Sequence, residues 1–178
     1  DPRDPAGLSA NTVYTLSVDN RGRVWAGTDG GGLDLVLGSS TDSASIRFQN
    51  ISKENGLASD VIYGVLCDDA GLIWLSSNAG LMRYDPQSGR VTGFHRDQGL
   101  QDEEFNFGAR LRTRDGRLWF GGPNGFNRFA PAMVDATVAP PRLALTRVEV
   151  MNQPARIDVP YALLRSLDLG YRENVVSF

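Results

Sequence analysis

The stretch Asp68-Asp69-Ala70-Gly71-Leu72-Ile73-Trp74-Leu75-Ser76-Ser77-Asn78-Ala79-Gly80-Leu81 decides the fold, because the chain writes nearly the same phrase three times. Asp19-Asn20-Arg21-Gly22-Arg23-Val24-Trp25-Ala26-Gly27-Thr28 precedes it. Arg114-Asp115-Gly116-Arg117-Leu118-Trp119-Phe120-Gly121-Gly122-Pro123-Asn124-Gly125-Phe126 follows. All three tryptophans occupy the same place in the phrase, at spacings of 49 and 45 residues, a period expected of blade-type β repeats. Upstream, Gly7-Leu8, Gly56-Leu57 and Gly99-Leu100 open the three units, the last with a small insertion before its tryptophan.

Each unit reads as strands joined by turn chemistry. Val13 to Val18 has strand propensity, Asp19 to Gly22 supplies a turn, and Arg23 to Thr28 returns, so a hairpin is expected. Asp29-Gly30-Gly31-Gly32 turns into Leu33 to Leu37, and Ile46 to Ile51 alternates with period two. Four strands in one meander make one blade. The second unit copies the order through Val61 to Cys67, Leu72 to Ser76, Leu81 to Tyr84 and Arg90 to His95. A third gives Phe105 to Arg112, Arg117 to Phe120 and Phe126 to Phe129, then meets Pro131 and loses its fourth strand.

The expected fold class is therefore all-β: a partial β-propeller of about three four-stranded blades over residues 1–130, with units starting near 7, 56 and 99. The glycines Gly22, Gly71 and Gly116 suit tight hairpins, and Trp25, Trp74 and Trp119 suit packing between blades. Asp34, Arg83 and Arg128, just past the third turn, are read as solvated or as hydrogen-bonding between blades. Residues 1–6 form a polar lead-in, 131–142 a proline-rich linker, and 143–178 the opening of a second all-β module. There Leu143 to Val150, Ser166 to Leu169 and Val175 to Phe178 are expected strands, Asn152-Gln153-Pro154 a turn, and Tyr161 to Leu167 a short helix or a loop.

Composition narrows the function. With 178 residues, 41% hydrophobic and 22% charged, the chain has the makeup of an ordinary soluble domain. A net charge of −3 with scattered basic residues disfavours nucleic acid as a partner. The lone Cys67 excludes an internal disulfide and lies in an apolar run, as a buried hydrophobe would. The lone His95 excludes multi-histidine metal sites within one chain and falls in an outer strand. Gly30-Gly31-Gly32 lacks dinucleotide-loop spacing, and Asp68-Asp69 and Asp19-Asn20 lack the alternate ligands of a calcium loop. No cofactor and no metal are expected.

The repeat resembles the two-component regulator propeller family, whose pattern runs Gly-Leu, Val-Tyr, Asp-x-x-Gly, a hydrophobe before Trp-x-Gly-Thr, then x-x-Gly-Leu. Gly7-Leu8, Val13-Tyr14, Asp19 to Gly22 and Val24 to Thr28 match it. Gly56-Leu57, Ile62-Tyr63, Asp68 to Gly71 and Ile73-Trp74 match again, with Ser76-Ser77 in place of Gly-Thr. Glu104-Phe105-Asn106, Gly108-Ala109 and Trp119 to Phe126 look like a closing repeat. Pro141 to Asn152 and Leu167 to Phe178 are similar to the first part of the triple-tyrosine domain, an immunoglobulin-like sandwich. The resemblance implies a noncatalytic, periplasmic sensory fragment of an inner-membrane receptor with a histidine kinase or diguanylate cyclase output, the ligand being a small molecule and carbohydrates being common among relatives.

A ligand surface is expected where each first strand begins: Asn11 and Tyr14, Asp60 and Tyr63, Glu104 and Asn106 recur there, and polar groups beside aromatic faces suit a sugar. The competing reading packs the tyrosines between blades. Asp102-Glu103-Glu104 is the one candidate carboxylate pair for a glycosidase or lyase. A protein-interaction scaffold is the third class. Three blades cannot close a ring, so the fragment is expected to associate, most simply as a dimer pooling its blades.

Overall fold

The computed structural model describes residues 6–38, 46–134, 147–155, 166–167, 169–172 and 175–177. The chain divides into two compact units, Asp1–Ala136 and Thr137–Phe178.

In the first unit, β1 (Val13–Val18), β2 (Val24–Thr28), β3 (Leu33–Leu37) and β4 (Arg47–Ile51) form one antiparallel meander. A second meander is built from β5 (Ile62–Cys67), β6 (Ile73–Ser77), β7 (Leu81–Tyr84) and β8 (Val91–Phe94). The third has only β9 (Arg110–Arg112), β10 (Leu118–Gly122) and β11 (Gly125–Phe129). Expected and observed strands agree closely in the first two blades. In the third, the inner strand expected from Phe105 begins only at Arg110, because Gly108 takes a positive φ of 71° and Asn106 to Ala109 fold into a turn whose amides bond back to the chain. The chain then runs into α1 (Pro131–Val134), a single helical turn that proline at its first position favours. Residues 135–142 of the expected linker lie outside the described residues.

Short 3-10 turns that sequence pattern did not foretell, Lys53–Asn55 and Arg96–Gln98, connect the blades. Each ends on a left-handed glycine, Gly56 at φ 98° and Gly99 at φ 100°, so the repeated Gly-Leu is a helix stop followed by an anchor. The residue after it fastens the loop to the middle of the third strand. Ser9 donates its amide to Asp34 Oδ2 at 3.0 Å, Ala58 to Met82 Sδ at 3.1 Å, and Gln101 to Asn127 Oδ1 at 2.9 Å. Asp34 is accordingly buried and bonded within its own blade by Ser9 and Asn50, neither solvated nor bridging blades. Arg83 and Arg128 instead cover Trp74 and Trp119, their guanidinium carbons 5.6 and 5.5 Å from the ring centroids.

Strand register assigns faces. On the first blade Trp25, Leu33, Leu35 and Ile51 share a core with Val65, Ile73, Leu75, Met82 and Tyr84 of the second. Trp74 and Leu81, on the second blade's other face, join Phe105, Leu118 and Phe120 of the third. Fully burying one tryptophan removes about 150–250 Å² from water, worth at most about 4–6 kcal/mol at 25 cal/mol/Å². Both inner tryptophans are locked by their indole N–H. Trp25 Nε1 donates to Asp19 Oδ2 at 3.0 Å and Trp74 Nε1 to Asp68 Oδ2 at 2.8 Å. The same carboxylates accept turn amides, Arg21 and Arg23 at Asp19 and Leu72 at Asp68.

The first strand pair of each blade shares one tight slot. Thr15 pairs with Gly27 on the first blade, whereas Gly64 pairs with Ser76 on the second and Ala109 lies against Gly121 on the third. A Cβ on Gly27 would stand 2.5 Å from Thr15 Cγ2, and one on Gly64 would stand 2.7 Å from Ser76 Oγ. One member of each pair must stay small, and which member it is differs between repeats. Ser77 also does the work of Thr28: each hydroxyl donates to a glycine carbonyl in the following turn, Gly80 at 3.0 Å and Gly32 at 2.9 Å.

In the second unit, β12 (Glu149–Val150), β13 (Gln153–Pro154) and β14 (Val176–Ser177) make a three-stranded sheet in the order β13-β12-β14. The hairpin turns one residue earlier than expected, on Met151 and Asn152 at φ 54° and 61°, the two positive values that a primed two-residue loop requires. Gln153 and Pro154 thus return as an edge strand, where proline is tolerated. Ser166, Leu167 and Leu169 are not in strand. The strand expected over 143–146, the segment 161–165, and positions 168 and 178 lie outside the described residues.

Candidate functional site

The first two blades begin their inner strands with a defect. Val13 pairs with Thr28 and Thr15 with Gly27, leaving Tyr14 as the extra residue; Ile62 pairs with Ser77 and Gly64 with Ser76, leaving Tyr63. A bulge re-aims the side chain that occupies it. Here it brings the two rings together, with centroids 5.8 Å apart, while Phe107 approaches Tyr14 at 5.0 Å. The three aromatic side chains form a continuous patch, with Phe107 exposed and both tyrosines half-buried.

One hydroxyl is held by a carboxylate and the other lies near one. Tyr63 Oη donates to Glu104 Oε1 at 3.2 Å, and Asp29 is the carboxylate that acts on the Tyr14 hydroxyl. The bond to Asp29, then burial, raises the Tyr14 pKa; burial, then the Glu104 charge, raises that of Tyr63. Both phenols therefore stay protonated donors, and each carboxylate retains acceptor capacity. On the inner strands, Arg110 reaches across from the third blade, donating through Nε to Val65 O at 3.1 Å and through Nη2 to Leu16 O at 2.9 Å. Burial lowers its pKa. One guanidinium thus ties the inner strands of all three blades.

Of the six positions expected to share a ligand surface, Tyr14, Tyr63 and Glu104 come together. Asp60 is engaged elsewhere: Oδ1 accepts the Lys53 amide at 2.8 Å, and its carbonyl accepts the amides of Gly30 and Gly32 at 3.0 and 2.7 Å. Asn11 is exposed, and the exposed Asn106 uses its backbone to bond Gly121. Asp29 and Phe107 were not foreseen. Asp29 is visible only as the residue after Gly27-Thr28, and Phe107 falls out of register with the tyrosines because of the insertion in the third unit.

The acidic run is dispersed. Asp102 bonds Asn124 and the Glu103 amide, Glu103 accepts the Arg96 amide at 2.8 Å and faces His95 Nδ1 at 3.1 Å, and Glu104 takes Tyr63. The Arg96 amide, followed by His95, lowers the Glu103 pKa. His95 lies just past β8 and is exposed, while Cys67 is buried with a thiol pKa raised by that burial. Among the described residues no three His, Cys, Asp or Glu side chains gather as a metal site, and no helix is long and apolar enough to cross a membrane.

Stacked four-stranded meanders of this kind define a propeller-like β-repeat array. Residues 7–30 match the family model described as two component regulator propeller. The chain is similar to the extracellular domain of hybrid two component system BT4673 of B. thetaiotaomicron, with 30% identity and a TM-score of 0.60 over 72% of this chain and 18% of that one. The corresponding domain of BT3049 from the same organism shares the fold at 22% identity and a TM-score of 0.54, covering 86% of this chain and 26% of its own. Histidine kinase P4 of Formosa agariphila is 26% identical over 96% of this chain and 16% of its length. The chain thus spans about a quarter or less of each of these relatives, all of them signalling proteins or their extracellular parts.

Proposed function

We propose that the chain is a noncatalytic sensory segment of a two-component-type receptor, working outside the cytoplasm on the periplasmic side of an inner membrane. Its blades occupy residues 1–130, residues 131–142 link them, and residues 143–178 open a triple-tyrosine sandwich that relays the signal toward a membrane-bound output. The observation that carries this is the bulge-presented pair Tyr14 and Tyr63, the Tyr63 phenol held by Glu104, in a chain similar to extracellular domains of hybrid two component systems. Aromatic faces beside oriented acceptors suit an uncharged polar ligand of the carbohydrate class. Only a ligand with unequal affinity for two blade arrangements shifts them, and Arg110, bonded to both neighbouring inner strands, is the group that senses their spacing.

The test is calorimetric titration of the chain with a panel of neutral oligosaccharides. Binding that Tyr63→Ala weakens by about tenfold or more, with no product formed, supports the reading. Turnover lost on Glu103→Gln or Glu104→Gln would replace it with an enzyme, and saturable binding untouched by Tyr14→Ala and Tyr63→Ala would move the ligand elsewhere.

A further inference from the structure

The two carboxylates beside the bulged tyrosines are not features of the repeat. Glu104 stands just before the buried Phe105, and the residue just before the buried Ile62 of the second blade is Val61. Asp29 follows Thr28, and the residue after its counterpart Ser77 is Asn78, whose Oδ1 accepts the Ser59 hydroxyl at 2.6 Å. Val61 and Asn78 hold these places without a charge, so the hairpins need neither acid. Both acids nevertheless arrive at the rings. Asp29 bridges Val61 and donates its amide to Thr12 O at 3.0 Å, two residues ahead of Tyr63 and Tyr14 respectively, while Glu104 comes from the third blade to accept the Tyr63 hydroxyl.

Their hydrogen-bonding sense is one-sided. The Tyr63 hydroxyl spends its proton on Glu104 Oε1, which leaves the phenol oxygen to accept, and an ionised carboxylate only accepts. Arg110, the cation that crosses the inner strands, turns Nε and Nη2 to the carbonyls of Val65 and Leu16. The polar edge around the aromatic rings is therefore a row of acceptors. Whatever binds there has to bring the protons.

We propose that Glu104 and Asp29 are the specificity-determining residues of this patch, selecting a saccharide whose free hydroxyls donate to them and rejecting the uronate, sulfated or O-methylated counterpart. This rests on the sugar-binding role proposed above and names what that site refuses. Each rejected form keeps a sugar ring for the aromatic faces but sets an oxygen acceptor against an oxygen acceptor. A site built to hydrogen-bond a hydroxyl discriminates against the analogue lacking it more strongly than an apolar pocket does, because its own polar groups are left unpaired. In the uronate and the sulfate ester, like-charge repulsion adds a second penalty. Glutamine at position 104 would put an amide donor where an acceptor stands, reversing the sense at one point.

Calorimetric titration of the full 178-residue chain tests this, with neutral trisaccharides of glucose, galactose and mannose, each beside its permethylated form and a form oxidised to a terminal uronate. The expected result is binding of at least one neutral trisaccharide, with its permethylated and uronate forms weaker by about tenfold or more. Glu104→Gln should narrow the gap to the uronate by about fivefold or more, a change of ranking that a merely structural role would not produce. Both carboxylates are exposed, so circular dichroism melts should match the parent; if Glu104→Gln misfolds, Asp29→Asn carries the same expectation. Failure of every neutral trisaccharide to bind would sink the sugar-binding site and this proposal with it. A neutral trisaccharide whose uronate and permethylated forms bind within about twofold of it, or variants that keep the wild-type ranking, would overturn the roles of Glu104 and Asp29 alone.

Discussion

The tryptophan corners of the second and third blades are built on the same hairpin but differ at the side chain six residues before the indole. Six residues before Trp74 stands Asp68, which accepts the indole and a turn amide; six before Trp119 stands Thr113. The turn itself survives the exchange. Thr113 N donates to Arg117 O at 2.9 Å and Gly116 N to Thr113 O at 3.0 Å, as Asp68 and Gly71 do with bonds of 3.0 and 3.1 Å. What is lost is the acceptor, for the Thr113 hydroxyl turns to Asp115 and to Arg117 O, and Trp119 Nε1 has none among the described residues. Turn formation and tryptophan anchoring are thus separable jobs of a single position, one done by backbone and the other by a carboxylate.

The widest separation between the corners is expected on truncating the rings. Trp74→Ala should cost about 3–5 kcal/mol in urea unfolding, as large aromatic deletions from cores do, and Trp119→Ala less than about half of that. Equal losses would erase the contrast. Next comes the acceptor: Asp68→Ala should cost about 2–3 kcal/mol, because it strands a buried indole N–H along with a turn amide, and Trp74→Phe should absorb part of the loss in a double-mutant cycle. Thr113→Asp is the sharper converse, with an expected gain of about 0.5–1.5 kcal/mol that vanishes when Trp119 is also changed to Phe.

The smallest effect is on pH dependence. Burial, the largest single influence on Asp19, works to raise its pKa, but bonds from the Trp25 indole, from the backbone and side chain of Arg23 and from the Arg21 amide outweigh it, and the pKa is lowered. A depressed carboxyl contributes stability that is complete above its unfolded pKa of about 4 and is lost as pH falls through the folded value. Thermal melts from pH 7 to pH 2 should therefore be flatter for Asp19→Asn than for the parent. A steeper curve would show that the carboxylate is a burden rather than an anchor.

Most of the first unit was legible because its strands are short, alternate cleanly and are punctuated by Asp-x-x-Gly, where the side chain and a positive-φ glycine define the turn locally. The bulges at Tyr14 and Tyr63 were not legible. A one-residue surplus depends on the partner strand's register, which a single strand's pattern does not contain, and the insertion that puts Phe107 beside Tyr14 hides it from the repeat. Glu104, read as part of the loop entering the third blade's first strand, does reach Tyr63, whereas Asp60, at an apparently similar place, is consumed in capping a 3-10 turn that alternation does not announce. Asp34 was misread since the side chain that bonds it, Ser9, lies 25 residues away.

The inverted small-for-large pairs at Thr15 and Gly27, Gly64 and Ser76, and Ala109 and Gly121 limit how such a molecule can be recombined. Grafting β6 in place of β2 would set Ser76 against Thr15, with two side chains crowding one slot, while the reciprocal graft would leave Gly27 facing Gly64 and a gap. Genetic exchange between neighbouring units survives only when both partners of the hairpin travel together, so the inheritable piece is the ribbon of two strands, smaller than a blade and larger than a strand.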